Sequence, residues 1–153
     1  MIPAPRDFLV DPAQFGRAGA EWRPAKTMEE KARTRAARLQ HDSMIRLRNH
    51  LARVHLTQGE YAEAIGWLRG RLSRVLVGLV WIPLLDLEEL LETIGESIAS
   101  VSFDSLPPSR QAGVMKLATA AYLRSQSYVL VETEDEEFRV LMERLRNAYP
   151  EIS

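Results

Sequence analysis

The chain has 153 residues, of which 46% are hydrophobic and none is cysteine. This composition favours a packed core and excludes disulfide staples and thiolate metal sites. No apolar run reaches the roughly 18 residues that a membrane-spanning helix needs, and Asp7 and Asp11 do not fit an N-terminal signal peptide. The sequence therefore predicts a soluble, cytoplasmic protein.

Charge is distributed unevenly along the chain. Residues 1–75 contain 14 Lys or Arg and 8 Asp or Glu, whereas residues 76–153 contain 6 and 13. A basic half joined to an acidic half indicates either a face for a polyanion or two ordinary solvated surfaces. Charge alone does not choose between these interpretations.

Residues 1–26 predict an extended arm rather than a helix, because they contain four prolines. They also contain more large apolar side chains than a free tail would. The side chains expected to pin the arm to the core are Phe8, Leu9, Phe15 and Trp22.

Residues 27–55 predict a basic amphipathic helix, either unbroken or in two segments. Thr27 and Glu30 have the spacing of a capping box, in which each side chain bonds the other residue's backbone amide. The apolar positions expected to face the core are Met28, Ala32, Ala36, Leu39, Ile45, Leu47, Leu51 and Val54. The basic side chains that leave this stripe are Lys31, Arg33, Arg35 and Arg38.

Residues 57–77 predict two short helices joined by a tight turn. Thr57 and Glu60 form a second capping box, and Gly66 supplies the positive φ that a turn after a helix requires. The second helix, about residues 69–77, would bury Leu72, Val75 and Leu76. In such a pair the first helix braces the second, which can lie in the major groove of B-DNA.

The outward face of the second short helix carries side chains that can read bases. Arginine can bond O6 and N7 of guanine together, which discriminates by roughly 1–3 kcal/mol against a wrong base. The predicted base-reading residues are Arg69, Gly70, Arg71, Ser73 and Arg74. The predicted contacts to the DNA backbone are Thr57, Gln58, Arg46, Arg48, Lys31, Arg35 and Arg38.

Residues 84–94 predict a helix that ends at Gly95, with Leu84, Leu87, Leu91 and Ile94 facing inward. Residues 96–153 predict a separate small helical module. Its expected elements are a loop or short strand at 99–103, a helix from Pro108 to about Arg124, a strand or buried connector at 128–131, and a last helix capped by Thr133 and Glu136.

The middle of the chain, about residues 43–95, resembles the lambda-repressor-like (Cro/repressor) helix-turn-helix domains. The matching positions in order are Leu56-Thr57-Gln58, Tyr61-Ala62, Ile65-Gly66, Leu72-Ser73-Arg74, Gly78, Pro83, Leu87 and Ile94-Gly95. The resemblance implies a compact DNA-binding domain of about five helices that reads DNA from the end of the turn through Arg74. The predicted fold is thus mainly α. It comprises the arm at 1–26, this domain at 27–95 and the helical module at 96–153, with room for one short strand.

The whole chain also resembles temperate-phage immunity repressors, particularly the small ones of actinobacterial phages. The basis is its size, the basic lead-in, one helix-turn-helix in mid-chain and a second small module. The resemblance implies that the second module can also touch DNA, so that a monomer spanning an asymmetric operator is slightly favoured over a homodimer. The residues that would make this contact are Ser109, Arg110, Gln111, Lys116, Arg124, Ser125 and Gln126. Solvent-facing residues of a dimerisation or packing unit are an equal alternative.

Two features depart from the family pattern. Trp67 and Leu68 stand where the family usually has a small or β-branched residue followed by a capping Ser or Thr. The loop at residues 77–82 is apolar where the family's is polar and basic, and it predicts a patch that the C-terminal unit, the arm or a second subunit must cover.

Sequence signals for catalysis and metal binding are lacking. The chain has no Gly-rich phosphate loop, no Gly-x-Ser-x-Gly and no His-Glu-x-x-His, and its three histidines, His41, His50 and His55, lack metal-ligand spacing. We therefore expect a non-enzymatic repressor of transcription that needs no cofactor and occludes a promoter on a double-stranded DNA operator. The alternatives are an antitoxin-type autoregulator whose C-terminal module binds a protein partner, and an interaction module that has lost DNA binding.

Overall fold

The computed structural model describes residues 2–126 together with 143, 144 and 147. The described part of the chain is all-helical, as predicted, and it contains six α-helices. They are α1 (Met28–Arg53), α2 (Gln58–Ile65), α3 (Arg69–Leu76), α4 (Leu84–Glu92), α5 (Ile98–Asp104) and α6 (Pro108–Gln126). The chain divides into two compact units, residues 1–105 and 106–153. Among the described residues no helix is long and apolar enough to cross a bilayer.

The helix α1 is one unbroken helix of 26 residues. Thr27 and Glu30 begin it with the predicted capping box. The predicted apolar stripe of its first half is wrong, because Met28 is 81% exposed and Ala32 and Ala36 are also exposed. Alanines occur on several faces of this segment, so the sequence pattern could not identify the buried one, Ala37.

The core of the first unit is built from side chains of the arm and of the helices α1 to α5. Its largest buried members are Leu9, Phe15, Met44, Leu47, Leu72, Leu76 and Leu91. In α4 the buried side chains are Leu87, Leu90 and Leu91, whereas Leu84, which was expected to face inward, is 66% exposed. Leu84 is the first residue of α4 and lies ahead of the part of the helix that packs on the core.

Residues 98–104 form the helix α5 rather than the predicted loop or short strand. The Ser97 hydroxyl caps this helix by accepting the Ser100 amide at 3.1 Å, and Val101 is fully buried. Because α5 packs against α1 and α4, it belongs to the first unit. The boundary between the two units therefore lies at residue 105 rather than at residue 95.

The second unit contains α6, which begins at Pro108 as predicted. The strand or connector expected at 128–131 and the last helix expected from Thr133 lie outside the described residues. Within the described ranges the only strand-like pairing is an isolated antiparallel bridge between Leu9 and Trp22.

The N-terminal arm covers only part of the apolar loop between α3 and α4, because Leu79 and Val80 remain 39% and 37% exposed. The amide of Arg6 donates to the Gly78 carbonyl at 3.1 Å, and the Trp81 indole donates to the Pro3 carbonyl at 2.8 Å. The Phe15 ring lies so close to Gly78 that a Cβ there would be 2.6 Å from it. The sequence left three candidates for covering this loop: the C-terminal unit, the arm and a second subunit. In the structure it is the arm that makes these contacts.

Candidate nucleic-acid interface

The helices α2 and α3 are joined by the three-residue turn Gly66-Trp67-Leu68. Gly66 has a φ of 77°, the left-handed conformation that the sequence predicted for it, and the Trp67 amide donates to the Ala62 carbonyl at 2.8 Å. Tyr61 and Ala62 of α2 are buried, as are Leu72, Val75 and Leu76 of α3. The two helices are thus held as one packed pair, with the opposite face of α3 outward.

The outward face of α3 is basic and open. Arg69, Gly70, Ser73 and Arg74 are all exposed. The helix starts at Leu68 without any side-chain cap, so its first backbone amides and the positive end of its dipole lack a capping group. The Arg74 Nε donates to the Gly70 carbonyl at 3.2 Å, and a Cβ on Gly70 would meet nothing within 4 Å. This end of α3 can approach a polyanion closely.

Arg69 brings the start of α3 to the start of α2. A Cβ built on Gly59 would lie 3.0 Å from the Arg69 guanidinium carbon, so this guanidinium lies against the first turn of α2. Gln58, the predicted backbone contact in that turn, is exposed. The structure therefore places Arg69, one of the base-reading candidates, against the turn of α2 that carries Gln58.

Arg71 differs from its neighbours because it has partners within the protein. Its guanidinium lies 3.8 Å above the centre of the Trp67 ring, and its Nη2 donates to an Asp86 carboxylate oxygen at 2.5 Å. The side chain is still 43% exposed. Arg71 therefore ties the turn and α3 to α4 while keeping one side accessible.

Thr57 acts as a helix cap. Its hydroxyl oxygen accepts the Glu60 amide at 3.1 Å, and the hydroxyl donates to the Glu60 carboxylate at 2.9 Å. Only half of the predicted capping box is thus present, because Glu60 bonds the hydroxyl rather than the backbone of Thr57.

Arg46 and Arg48, which were predicted to contact the DNA backbone, have partners inside the first unit. Arg46 bonds Glu96 at 2.7 Å and Asp104 at 2.8 Å, which fastens α5 to α1. Arg48 donates to the Leu76 carbonyl at 3.2 Å, and its half-buried position lowers its pKa. Both guanidinium groups are therefore engaged within the first unit and do not belong to the exposed basic face of α3.

Lys31, Arg35 and Arg38 lie on the side of α1 that faces away from α3. Each stands nine residues, or two and a half turns at 3.6 residues per turn, before a buried residue: Gln40, Met44 and Leu47 respectively. Gln40 donates to the Val75 carbonyl at 3.1 Å, so the buried face of α1 is the one that meets α3. The three basic side chains are exposed, but the structure does not bring them to the face of Arg69 and Arg74.

The candidate contacts of the second unit lie on α6. Ser109, Arg110 and Lys116 are exposed, and the Gln111 side-chain amide donates to the Leu106 carbonyl at 2.8 Å. Arg124, Ser125 and Gln126 form the end of the helix, and their side chains lie outside the described part.

Sequence reasoning missed two partners of Arg71 and one buried histidine. The stack of Arg71 on Trp67 joins residues four positions apart across the turn, whereas the bond to Asp86 spans 15 positions and leaves no local signal. His41 is buried, and its Nδ1 accepts the Gly16 amide at 2.9 Å, which fixes the arm. Among the described residues no group of three His, Asp or Glu side chains is placed to hold a metal ion.

Comparison of the chain with protein-family models, with curated proteins and with solved structures finds no match. The likeness to repressor domains therefore rests on this chain's own residues. The function has to be inferred from the geometry of α2, α3 and their surroundings.

Proposed function

We propose that this protein is a sequence-specific double-stranded DNA-binding repressor that inserts α3 into the major groove and occludes a promoter. The observation that carries the proposal is the outward face of α3, where Arg69, Gly70, Ser73 and Arg74 are exposed on a helix whose start has no side-chain cap. Backbone amides and guanidinium groups at such a position match the phosphates and the guanine edges of DNA.

The packing of the first unit supports this proposal. The buried side of α3 is held by α2 and by α1, through the Gln40 and Arg48 bonds to carbonyls near its end. A rigidly supported helix needs no ordering of its backbone on binding, which lowers the entropic cost of association. Residues 43–95, which resemble the lambda-repressor-like domains, contain the end of α1 and the helices α2, α3 and α4, and α5 follows them.

The revised interface is smaller than the sequence indicated. Arg69, Ser73 and Arg74 would read bases, Gly70 would allow close approach, and Gln58 with the free amides of α3 would hold phosphates. Arg71, fixed between Trp67 and Asp86, would present a positioned guanidinium at the edge of this surface. The narrower proposal, that the protein is a phage immunity repressor, is supported by the resemblance of the whole sequence to such repressors.

The proposal is tested by selecting binding sites from a random pool of DNA duplexes at two salt concentrations. Arg74→Ala should weaken binding to the selected site by about 10- to 100-fold, the equivalent of roughly 1–3 kcal/mol for one arginine–guanine contact, and should affect a scrambled duplex much less.

Arg33→Ala is the matched control. It also removes an arginine from a helix surface, but one that pairs with Glu29 at 2.6 Å in the first half of α1. It should leave the affinity for the selected site unchanged. If no sequence is selected at either salt concentration, the chain does not read DNA. If Arg74→Ala weakens both duplexes equally, Arg74 does not read a base.

Sedimentation of the selected complex determines the role of the second unit. A monomer on a long asymmetric site would support DNA contact by the α6 residues Ser109, Arg110, Gln111 and Lys116. A dimer on a palindrome would instead assign residues 106–153 to dimerisation.

A further inference from the structure

Leu68 is a large apolar side chain at the tip of α3. It is 79% exposed and occupies the N-cap position of the helix, where its side chain makes no capping hydrogen bond. Ser, Thr, Asp and Asn stabilise this position because they bond the free amides, and leucine cannot. Leu68 therefore serves neither the helix cap nor the core.

The surroundings of Leu68 are those of the proposed recognition face. The next residue, Arg69, is exposed, and so are Gly70 and Arg74. The preceding residue, Trp67, is half-buried under the Arg71 guanidinium, and the Leu68 carbonyl accepts the Leu72 amide at 3.2 Å, so the backbone that carries Leu68 is anchored. An anchored apolar side chain surrounded by cationic groups would be desolvated when this face meets DNA.

The major groove offers one apolar group to such a side chain, the C5-methyl of thymine. The other base edges in the groove are hydrogen-bond donors and acceptors, which leucine cannot satisfy. We propose that Leu68 contacts a thymine methyl and so selects thymine at one position of the bound site. This inference rests on the proposed function and adds to it one specificity-determining residue.

The test removes only the methyl group. Each thymine of the selected site is replaced in turn by deoxyuridine, and the affinity of the wild-type chain is measured by fluorescence anisotropy. At one position the wild type should lose about fourfold, the value of roughly one buried methyl group. Leu68→Ala should bind the thymine duplex more weakly, and at that position it should not distinguish thymine from deoxyuridine.

Met28→Ala is the control, because Met28 is 81% exposed in the first turn of α1 and stands two and a half turns before the buried Ala37, on the side away from α3. It should keep the wild-type response to deoxyuridine. Leu68→Ser, which restores a capping hydroxyl, should be at least as heat-stable as the wild type and should lose the same discrimination.

The outcomes separate the inference from the proposed function. If a site is selected but no thymine responds to loss of its methyl, or if Leu68→Ala responds as the wild type does, the role of Leu68 is wrong and the repressor proposal stands. If no site is selected at all, the repressor proposal fails first.

Discussion

At the scale of single residues, His41 shows how one buried side chain holds the arm to the helices. Its Nδ1 accepts the Gly16 amide at 2.9 Å, and its ring meets those of Phe15 and Trp22 edge-on at 5.3 Å. An acceptor nitrogen must be unprotonated, so the geometry requires the neutral imidazole. Burial lowers the pKa of His41, Arg38 acts in the same direction, and Asp42 opposes them.

We expect the stability of the first unit to fall as the pH drops below about 6.5, the ordinary pKa of histidine. The unfolded chain takes up a proton there that the folded chain resists, because protonation would remove the acceptor of the Gly16 amide. Stability is therefore fully present above this pH and is lost towards the lowered pKa of the folded state. Urea unfolding followed by tryptophan fluorescence between pH 7.5 and 5.5 measures this loss.

His41→Gln should flatten the dependence in that window, whereas His55→Asn, which removes an exposed histidine, should not. Glu30 does not interfere, because its pKa is lowered by the amides of Lys26 and Thr27 and its contribution is lost only at more acidic pH. An unchanged pH dependence in His41→Gln would mean that another group titrates.

At the scale of elements, the contact of Arg69 with the first turn of α2 links α2 to α3. Gly59 allows this contact, since a Cβ there would lie 3.0 Å from the guanidinium of Arg69. The guanidinium is the far end of a flexible side chain, so it can move aside at little cost. The glycine thus sets the position of Arg69 rather than the fold of α2.

Gly59→Ala is expected to weaken binding to the selected DNA site several-fold without lowering thermal stability. Alanine favours a helix over glycine by up to about 1 kcal/mol, which offsets the cost of displacing Arg69. The measurements are a melting curve and an anisotropy titration on the same preparation. Gly113→Ala in α6, where a Cβ meets nothing within 4 Å, is the matched control and should change neither affinity nor fold. Undiminished affinity in Gly59→Ala would show that the placement of Arg69 does not matter for binding.

The elements that the sequence predicts well are those with local signals. Thr57, Gly66 and the buried spacing of Leu72 to Val75 define α2, the turn and α3 within a few residues. The segment 99–103, expected to be a loop or strand, is a helix for two reasons. Ser97 caps it, and Val101 is buried where α5 packs against α1. Only the burial of Val101 depends on residues that are distant in the sequence.

The residues of the candidate site also fall into those with a local sequence signal and those without one. The exposed basic face of α3 follows from helical periodicity, so Arg69, Ser73 and Arg74 could be named from the sequence. The pairing of Arg46 with Glu96 joins residues 50 positions apart, and no local pattern indicates it. Long-range ion pairs of this kind decide which arginines are available to bind a partner. They can be identified only from the folded structure.

At the scale of the whole first unit, the exposed basic side chains lie on two opposite sides of α1. Arg69 and Arg74 lie on α3, whereas Lys31, Arg35 and Arg38 lie on the far side of α1, beyond the buried residues that meet α3. A helix with its side chains is about 10–12 Å across, which exceeds the Debye length of about 8 Å at physiological salt. A duplex seated on α3 is therefore largely screened from these three charges.

Replacing Lys31, Arg35 and Arg38 together by alanine is accordingly expected to leave the affinity for the selected site and its salt dependence nearly unchanged. The comparison is the slope of log affinity against log salt for the triple variant and for the wild type, measured by anisotropy on the same duplex. Three phosphate contacts would contribute about 2.7 to that slope, at about 0.9 for each phosphate neutralised. A decrease of that size would mean that the DNA reaches around α1, and the seating of the duplex on α3 alone would have to be abandoned. An unchanged slope would exclude Lys31, Arg35 and Arg38 from phosphate contact and would agree with a duplex seated on α3.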